Sequence, residues 1–433
     1  MLRPASRRAH GTAAVTGWVL LLVTAVWWGQ HLLPEGRLNV HAPPFQGYFR
    51  VALLSVVPAA LFALVAIVVL PIAARVLPWG ALLLLSWASA ATWAVLLAFW
   101  DGHPSLARPI ARHREYVPAV SDVGNDPLTW LSTFAEQAAL KEHPLHVNGH
   151  PPLMVLVLWI WDRLGFSGPQ WAAALVIGAG ASAVVAAAIV LRALGDEQSA
   201  RAALPFLALA PFAITIATSA DAFFLGTGAW AAAALAVGLR RGSLLLLGVG
   251  GLLAGSLPYL SYGLLPLGAV LVVTGVLAVR ARGRTIRRRE ILALLTGLVV
   301  VPFLLTAGGF WWPDGVAATH QAWAAGSGDN RPYVYSFVAN FAVLGVLVGP
   351  ATAAAVVRRP PRAPVLLASA ALVGVLALAL SGVTRLEVER IWLPFAPWLV
   401  TLCAALPRQE RRRWLAVNAV CALAFQALVL DVW

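Results

Sequence analysis

Residues 101–152 read DGHPSLARPIARHREYVPAVSDVGNDPLTWLSTFAEQAALKEHPLHVNGHPP, a polar and aromatic stretch in a chain that is otherwise built from apolar runs. The stretch holds five of the nine histidines and the only lysine of the protein. Loops that carry function are commonly those held by a rigid scaffold, and a loop of this length is either functional or disordered. We therefore expect the binding or catalytic residues of the protein to be concentrated here.

Part of this stretch has the pattern of a short helix. Trp130, Phe134 and Ala138 recur at helical spacing, and Asp126 and Pro127 precede them as a cap and a first-turn residue. The pattern predicts a short amphipathic helix over 129–140 that lies on the membrane surface.

The composition identifies the class of protein. The chain has 433 residues, of which 60% are apolar and 11% charged, and its mean hydropathy is +0.81. Soluble domains are about 25% charged. The formal charge of +13 comes from arginines in short clusters between apolar segments, so it indicates membrane topology and not a nucleic-acid partner. Cys403 and Cys421 lie in apolar segments and predict no disulfide framework. The sequence predicts an all-α polytopic membrane protein.

A membrane-spanning helix needs about 20 mostly apolar residues. On this criterion, allowing a few short segments, we predict about 13 transmembrane helices within a single transmembrane domain over 1–433. They lie near 12–33, 51–74, 79–100, 168–191, 202–219, 222–239, 243–257, 260–279, 291–310, 335–357, 364–381, 391–407 and 414–431.

Arginine clusters predict the orientation, because short cytoplasmic loops are enriched in basic residues. The clusters fall on one side of the predicted spans, which puts the N-terminus in the cytoplasm and suits a multi-pass protein of the plasma membrane. Four segments are then extracytoplasmic: 34–50, 101–167, 311–335 and 384–390.

This orientation holds only if 152–161 does not cross the bilayer. We predict that this apolar segment, PLMVLVLWIW, is a half-helix that dips in and returns or packs at the interface, since irregular backbone at membrane depth is tolerated where protein or a hydrated cavity covers it. The glycines of 178–180 and 248–251 lie inside predicted helices and indicate close helix packing.

Polar side chains near membrane depth are costly and therefore suggest function. Four sets open on the predicted outer face. They are Glu115 and Tyr116 with Asp122 and Asp126; His146 and His150 in HVNGHPPL; Asp221 in ATSADAFFLG; and Arg331 and Tyr333 with Arg385, Glu387, Glu389 and Arg390 in TRLEVER.

Together these sets make the chain, over roughly residues 100–400, resemble the GT-C glycosyltransferases, which include protein O-mannosyltransferases and aminoarabinose transferases. The shared features are an acid followed by Tyr in a large outer loop, the HPPL at 150–153, a lone Asp in a later outer turn, and the E-x-E-R at 387–390. The chain departs from the family in two respects. Two additional helices precede the loop, and Arg114-Glu115 stands where an adjacent acidic pair is usual, so the base is not fixed to one residue.

The resemblance implies transfer of a sugar from a polyprenyl-phosphate donor to a glycan, lipid or protein acceptor on the extracytoplasmic face. Such transfer needs a carboxylate that takes the acceptor's proton and a cation, or a metal, that holds the departing phosphate. Glu115, Asp122 and Asp126 are the candidates for the base. The candidates for substrate binding are Tyr116, His146, His150, Asp221, Arg331, Tyr333, Arg385, Glu387 and Arg390. Among them Arg331, Arg385 and Arg390 suit phosphate, because guanidinium matches its oxygens bidentately.

The resemblance fixes no cofactor and leaves a divalent cation open. The histidines of the loop share no recognised zinc spacing such as H-E-x-x-H.

Several of these residues also have a structural interpretation. Glu387 and Arg390 are spaced as an i,i+3 salt bridge. Asp221 could be the N-cap of a helix beginning at Ala222, and His150 could cap the turn into the following prolines. Trp311, Trp312, Trp323 and Tyr333 would line a lipid or sugar groove, or would be ordinary interfacial anchors.

Two other functions also fit a polar outer face. The leading alternative is a transporter or flippase for a lipid-linked glycan, which would also need outward acids and a basic groove. Transporters commonly show repeats and broken helices in matching halves, and the sequence shows no such pairing. A non-catalytic membrane scaffold is the third class, but it gives no reason for so many polar groups on one side.

Overall fold

The structure, a computed structural model, describes residues 4–99, 104–283, 285–326 and 330–431. In these residues the protein is all-α with one two-stranded sheet. Its helices are α1 Pro4–Leu32, α2 Val57–Val76, α3 Trp79–Ala98, α4 Pro104–Ala107, α5 Val120–Val123, α6 Pro127–Ala139, α7 Leu145–Asn148, α8 Leu153–Arg163, α9 Pro169–Ala193, α10 Glu197–Ala208, α11 Ala220–Arg241, α12 Leu244–Leu260, α13 Gly268–Arg282, α14 Arg288–Ala307, α15 Trp312–Ala324, α16 Tyr333–Val348, α17 Pro350–Val356, α18 Arg362–Leu380, α19 Val388–Ile391, α20 Ala396–Val400 and α21 Arg411–Leu428; the strands are β1 Gly47–Phe49 and β2 Val429–Asp431.

The chain is a multi-pass membrane protein. Within the described residues, 8 helices are long and apolar enough to cross a membrane, or up to 10 if each of two bent pairs counts as one span. The eight are Gly11–Glu35, Leu54–Val76, Trp79–Ala98, Pro169–Ala193, Ala220–Arg241, Tyr262–Arg282, Arg288–Ala307 and Arg362–Leu380. Every predicted segment is largely helical, but the described residues do not form thirteen separate spans.

Proline and glycine account for the difference. The predicted span 202–219 divides into α10, which has 12 residues, and a 3-10 turn that begins at Pro211. Twelve residues rise only about 18 Å, well short of a bilayer. The predicted span 335–357 bends by 96° between α16 and α17, at Gly349, whose φ is +78°. The last two predicted spans form a second pair, bent by 118°.

Small residues allow the helices to pack closely, as the sequence predicted for 248–251. Within α12, a Cβ added at Gly251 or Gly255 would collide with the backbone of α14. Gly297 of α14 meets α12 in the same way. Gly180 of α9 lies against Ala222 of α11. Such contacts are how helices associate in lipid, where apolar side chains gain little from burial against each other.

The end of the bundle that carries residues 104–167 is here called the loop face. The first three residues of the predicted loop, 101–103, lie outside the described residues. The predicted helix is confirmed as α6, and its N-cap is Asp126, whose carboxylate accepts a hydrogen bond from the Thr129 amide at 3.1 Å. Its apolar face does not lie on the membrane, because Phe134 packs edge-on against Phe310 at 5.7 Å and is buried.

Helix α8 corresponds to the predicted half-helix 152–161. Its 11 residues rise about 16 Å, half the thickness of a bilayer core. The indole of Trp159 and the guanidinium of Arg163 both donate to the carbonyl of Gly124, which ties the helix to the loop. Its depth in the membrane stays a prediction.

Residues 33–50 form a strap across the loop face. Its strand β1 pairs antiparallel with β2, with Gly47 opposite Asp431, so the predicted last span ends as a strand. At the other end of the molecule, Arg358 lies 3.1 Å from Glu410, which brings together two of the arginine clusters predicted to be cytoplasmic.

Candidate active site

Four charged or titratable side chains from distant parts of the sequence meet at the loop face. Glu115 Oε1 lies 3.1 Å from His146 Nε2, and His146 Nδ1 lies 2.7 Å from an Arg390 guanidinium nitrogen. Arg390 also donates to Asp221 at 3.3 Å. All four side chains are buried. We call this group the charged quartet.

Each member of the quartet is placed by a different local structure. Glu115 precedes a 3-10 turn in the loop, and His146 lies in α7. Asp221 lies in the first turn of α11 and Arg390 in α19. The amide of His146 donates to the carbonyl of Arg114 at 2.9 Å, which fixes the loop segment of Glu115 against α7.

The chemistry of arginine determines where the histidine proton lies. A guanidinium only donates hydrogen bonds, so His146 Nδ1 must accept from Arg390. In neutral imidazole the proton is then on Nε2, which faces the Glu115 carboxylate. His146 therefore donates to Glu115 Oε1 and leaves Oε2 as the oxygen that can take a proton.

The pKa values of the loop members fit this arrangement. Burial raises the pKa of Glu115 to about 7, with the Arg390 charge opposing the rise and Asp221 adding to it. Burial and then the Arg390 charge hold the pKa of His146 well below its usual value, so the imidazole is neutral. A carboxylate with a pKa near 7 beside a neutral imidazole is suited to general-base catalysis at neutral pH.

Tyr116 and His150 form one wall beside the quartet. The Tyr116 ring is fully buried and meets the His150 ring edge-on at 5.8 Å. Burial raises the pKa of Tyr116 well above its usual value, so the phenol stays protonated. Its hydroxyl has no hydrogen-bond partner among the described residues. His150 Nδ1 lies 2.7 Å from the carbonyl of His146, within the turn that precedes Pro151 and Pro152.

The N-cap interpretation of Asp221 is wrong. Helix α11 begins at Ala220, its N-cap is Ser219, and that serine makes no side-chain capping bond. Asp221 therefore lies inside the first turn, where its side chain pairs with Arg390.

The structural interpretation of Glu387 and Arg390 as an i,i+3 salt bridge is also wrong. Glu387 pairs with Arg331 instead, at 2.5 Å. The reason is local, because Glu387 has a left-handed φ of +60° and precedes α19, so helical i,i+3 spacing does not apply.

Arg331 serves as a clamp on the strap. Its guanidinium donates to the carbonyl of Leu38 at 2.9 Å and to that of Arg385 at 2.8 Å, in addition to the pair with Glu387. Glu389 also holds the strap, since its carboxylate accepts a hydrogen bond from the backbone N–H of Gln46 at 2.9 Å. The three charges of the E-x-E-R therefore contact three different segments. From the sequence, Glu389 was named only as part of this motif and was given no role. Its position between two other charged residues in an otherwise apolar stretch was the signal that could have identified it.

Two of the three candidate bases lie apart from the quartet. Asp126 is the exposed cap of α6. Asp122 is exposed and lines an open cleft of about 780 Å³, together with polar residues of the loop and of the strap. Glu115 is the one of the three that meets His146.

The aromatic candidates form a separate surface. The Arg385 guanidinium lies over the Trp323 ring at 5.3 Å and over the Tyr333 ring at 5.9 Å. Trp312 donates to the carbonyl of Pro258, whereas Trp311 is exposed. Arg385 and Tyr333 are therefore in contact with each other. Arg385 also donates to the backbone carbonyl of Arg331, the residue that holds the strap.

A metal ion has no ready ligand set here. Among the residues that the structure describes, no group of three or more His, Cys, Asp or Glu side chains is placed to hold one. The quartet has only one histidine, and an arginine occupies its centre.

The chain matches no protein-family model, no curated protein and no solved structure in the three comparisons made with it.

Proposed function

We propose that the protein is a GT-C-type membrane glycosyltransferase that moves a sugar from a polyprenyl-phosphate donor to an acceptor, with its loop face on the extracytoplasmic side of the plasma membrane. The observation that carries the proposal is the charged quartet. It joins a carboxylate whose pKa is near 7 to a neutral histidine and a buried arginine at one end of a membrane-spanning bundle.

Glu115 is the proposed general base. As the acceptor hydroxyl attacks the anomeric carbon, its proton passes to Glu115 Oε2, the new glycosidic bond forms, and the bond between the sugar and the phosphate oxygen breaks. The anomeric configuration is inverted, and polyprenyl phosphate leaves with the electron pair. His146 keeps Glu115 oriented through Oε1 and does not itself change protonation.

Arg390 is the proposed electrostatic partner of the departing phosphate. The imidazole of His146 contacts both Arg390 and Glu115. One buried network can therefore hold the base that takes the acceptor's proton and the cation that stabilises the departing phosphate. A fixed positive charge in a buried site stabilises developing negative charge more strongly than it would in water. Arg331 was expected to share this role, and we now propose that it supports the site by holding the strap.

Asp221 balances the charge of the network. With Arg390 positive and Asp221 negative, the pair is neutral, and ionised Glu115 contributes the net charge. Arg390 would be costly to bury without this partner. We propose that Asp221 orients Arg390 and does not contact the sugar.

Among the described residues, the bent helices do not follow the pattern of a transporter. Both bent helix pairs lie in the last third of the chain, from Tyr333 to Leu428, and not in corresponding positions of two halves.

A reconstituted assay separates the two functions. The protein is placed in lipid vesicles with radiolabelled polyprenyl-phosphate mannose, and in parallel with other polyprenyl-phosphate sugars, plus an extract of cell-envelope acceptors. Transfer of label from a lipid phosphate to an acceptor supports the proposal. Movement of the intact labelled lipid between leaflets, without any transfer, contradicts it and supports the flippase.

A further inference from the structure

The open cleft beside the quartet, here called the polar cleft, has walls fixed by hydrogen bonds within the protein. One wall carries Arg114, whose carbonyl accepts from the His146 amide at 2.9 Å. A second carries His143, whose carbonyl accepts from the Asn148 side chain at 2.6 Å. These contacts to backbone carbonyls fix the positions of both walls.

The third wall belongs to the strap. Asn39 lines the polar cleft, and the carbonyl of its neighbour Leu38 accepts from Arg331. Arg331 is held in turn by Glu387. The strap therefore closes one side of the cleft, and Arg331, which holds the strap, lies more than 290 positions later in the sequence. The cleft is thus assembled by the tertiary fold.

The lining favours a ligand that both donates and accepts hydrogen bonds. The polar residues that line the cleft are Asn39, His113, Arg114, Asp122, Glu142 and His143. Arg114 carries a positive charge, and Asp122 and Glu142 carry negative charges, so a ligand of either sign would meet a like charge in the cleft. Hydroxyl groups match this mixture best, because each is a donor and an acceptor.

His143 supplies an independent sign of a ligand. Its side chain is only 7% exposed, and its ring stacks on Phe134 with centroids 4.7 Å apart. Its Nε2 has no hydrogen-bond partner among the described residues. Burial lowers the pKa of His143, so its ring is neutral at pH 7 and can bond a hydroxyl.

We infer that the polar cleft binds an uncharged, hydroxyl-rich segment of carbohydrate that belongs to the acceptor. Its volume of about 780 Å³ lies within the usual range of ligand pockets, about 300 to 1,000 Å³. Arg114 precedes Glu115, so the cleft adjoins the proposed base. The assignment of this carbohydrate to the acceptor rests on the proposed transferase function, whereas the binding of carbohydrate does not.

Saturation-transfer NMR on the full protein in nanodiscs tests the inference. The probes are three neutral trisaccharides, mannotriose, maltotriose and N-acetylated chitotriose, with a glucuronic-acid trimer and a glucosamine trimer as charged comparators. We expect at least one neutral trisaccharide to bind more tightly than both charged probes. Asp122→Asn, Glu142→Gln and His143→Gln should each weaken its binding about three- to tenfold, which corresponds to the loss of one hydrogen bond.

The controls separate the cleft from the rest of the loop and from folding. Asp126→Asn removes an exposed carboxylate of the same loop but retains a capping side chain, so trisaccharide binding should not change. Asp122 and Glu142 are exposed, so their variants keep the test valid if His143→Gln does not fold.

The inference is overturned if no neutral trisaccharide binds, or if all three cleft variants bind as the parent does. Cleft-dependent binding by a protein that transfers no sugar supports the carbohydrate site and contradicts only the transferase function.

Discussion

His146 Nδ1 lies 2.7 Å from the Arg390 guanidinium, and this contact fixes the histidine proton on the nitrogen that faces Glu115. A guanidinium cannot accept a hydrogen bond, so the opposite tautomer would set two N–H groups against each other. The pair thus links a residue of the early loop to one in the late E-x-E-R, and it gives the proposed base a fixed orientation. The predictions below follow from this network.

The first prediction concerns the pH dependence of the rate. Glu115 must be ionised to take a proton, and its pKa is about 7, so the rate should rise as pH increases through 7. At pH 6 only about a tenth of the carboxylate is ionised, and the rate should be about a tenth of its plateau. Initial rates of sugar transfer between pH 5 and 9 would measure this. A profile that is flat from pH 5 to 8 is incompatible with Glu115 as the base.

The second prediction concerns stability. Burial raises the folded-state pKa of Glu115 from 4.5 to about 7, so the folded state binds more protons than the unfolded state between these values. The ionised group therefore costs stability above pH 7, on the order of 3 kcal/mol, and this cost is removed as the pH falls toward 4.5. Glu115→Gln should raise the melting temperature at pH 8 and raise it much less at pH 5.

Thermal melts of the parent and the variant at both pH values measure this difference. Asp126→Asn serves as the control, because its carboxylate is exposed and its replacement should give no such pH-dependent gain. Equal shifts for Glu115→Gln at pH 5 and pH 8 would show that the Glu115 carboxylate is not perturbed by burial.

The third prediction distinguishes orientation by His146 from simple packing. His146→Ala removes the donor to Glu115, which disfavours the ionised carboxylate, so the acid limb of the pH–rate profile should move upward by about one unit. His146→Gln can still accept from Arg390 and donate to Glu115, and it should restore part of the rate and part of the shift. If both variants lower the rate without moving the profile, His146 has only a packing role.

The fourth prediction concerns the ion pairs of the late loop. Double-mutant cycles should give a coupling free energy of about 1 to 3 kcal/mol for Arg331 with Glu387, and a similar value for Arg390 with Asp221. The cycle for Glu387 with Arg390 should give less than about 0.5 kcal/mol. Chemical unfolding in detergent supplies the values, and strong coupling between Glu387 and Arg390 would refute the pairing described here.

The fifth prediction separates the roles of the two buried arginines. Arg390→Lys should weaken donor binding about tenfold, because the ammonium keeps the charge but loses the fork. Arg331→Lys should lower stability and leave the donor affinity of the folded protein nearly unchanged. Equal loss of donor affinity in both variants would show that Arg331 also binds the donor phosphate.

The sixth prediction concerns orientation in the membrane. In a background without Cys403 and Cys421, a membrane-impermeant maleimide added to intact cells should label Ser167→Cys. It should label Thr285→Cys, near the arginine cluster of α14, only after the membrane is opened. Labelling of Ser167→Cys only in opened cells would place 167 in the cytoplasm and would require α8 to cross.

Much of the helical framework could be predicted from the sequence because apolar runs of sufficient length have few alternatives in a membrane. The cap at Asp126 was predictable for a similar reason, since Asp followed by Pro is a local signal. The number of spans was not predictable, because a helix break such as the one at Gly349 depends on tertiary contacts that stabilise the bent backbone. There, the side chain of Asn418 accepts from the amide of Ala351 at 2.9 Å, a contact between residues far apart in the sequence.

The members of the candidate site were largely identified, but their partners were not. Polar residues among apolar segments are conspicuous, so Glu115, His146, Asp221 and Arg390 could all be named from the sequence. Their pairing depends on tertiary structure. Glu387 appeared to be the partner of Arg390 by helical spacing, yet its left-handed backbone directs it to Arg331.

The most direct test of the central claim, that Glu115 is the base of a sugar-transfer reaction, compares the parent with Glu115→Gln in the vesicle assay with a labelled polyprenyl-phosphate sugar. Gln keeps the shape and accepts from His146, but it cannot take a proton. With Asp126→Asn at a near-parent rate, Glu115→Gln should lower the transfer rate by about two to four orders of magnitude. Transfer at the parent rate by folded Glu115→Gln would contradict the account.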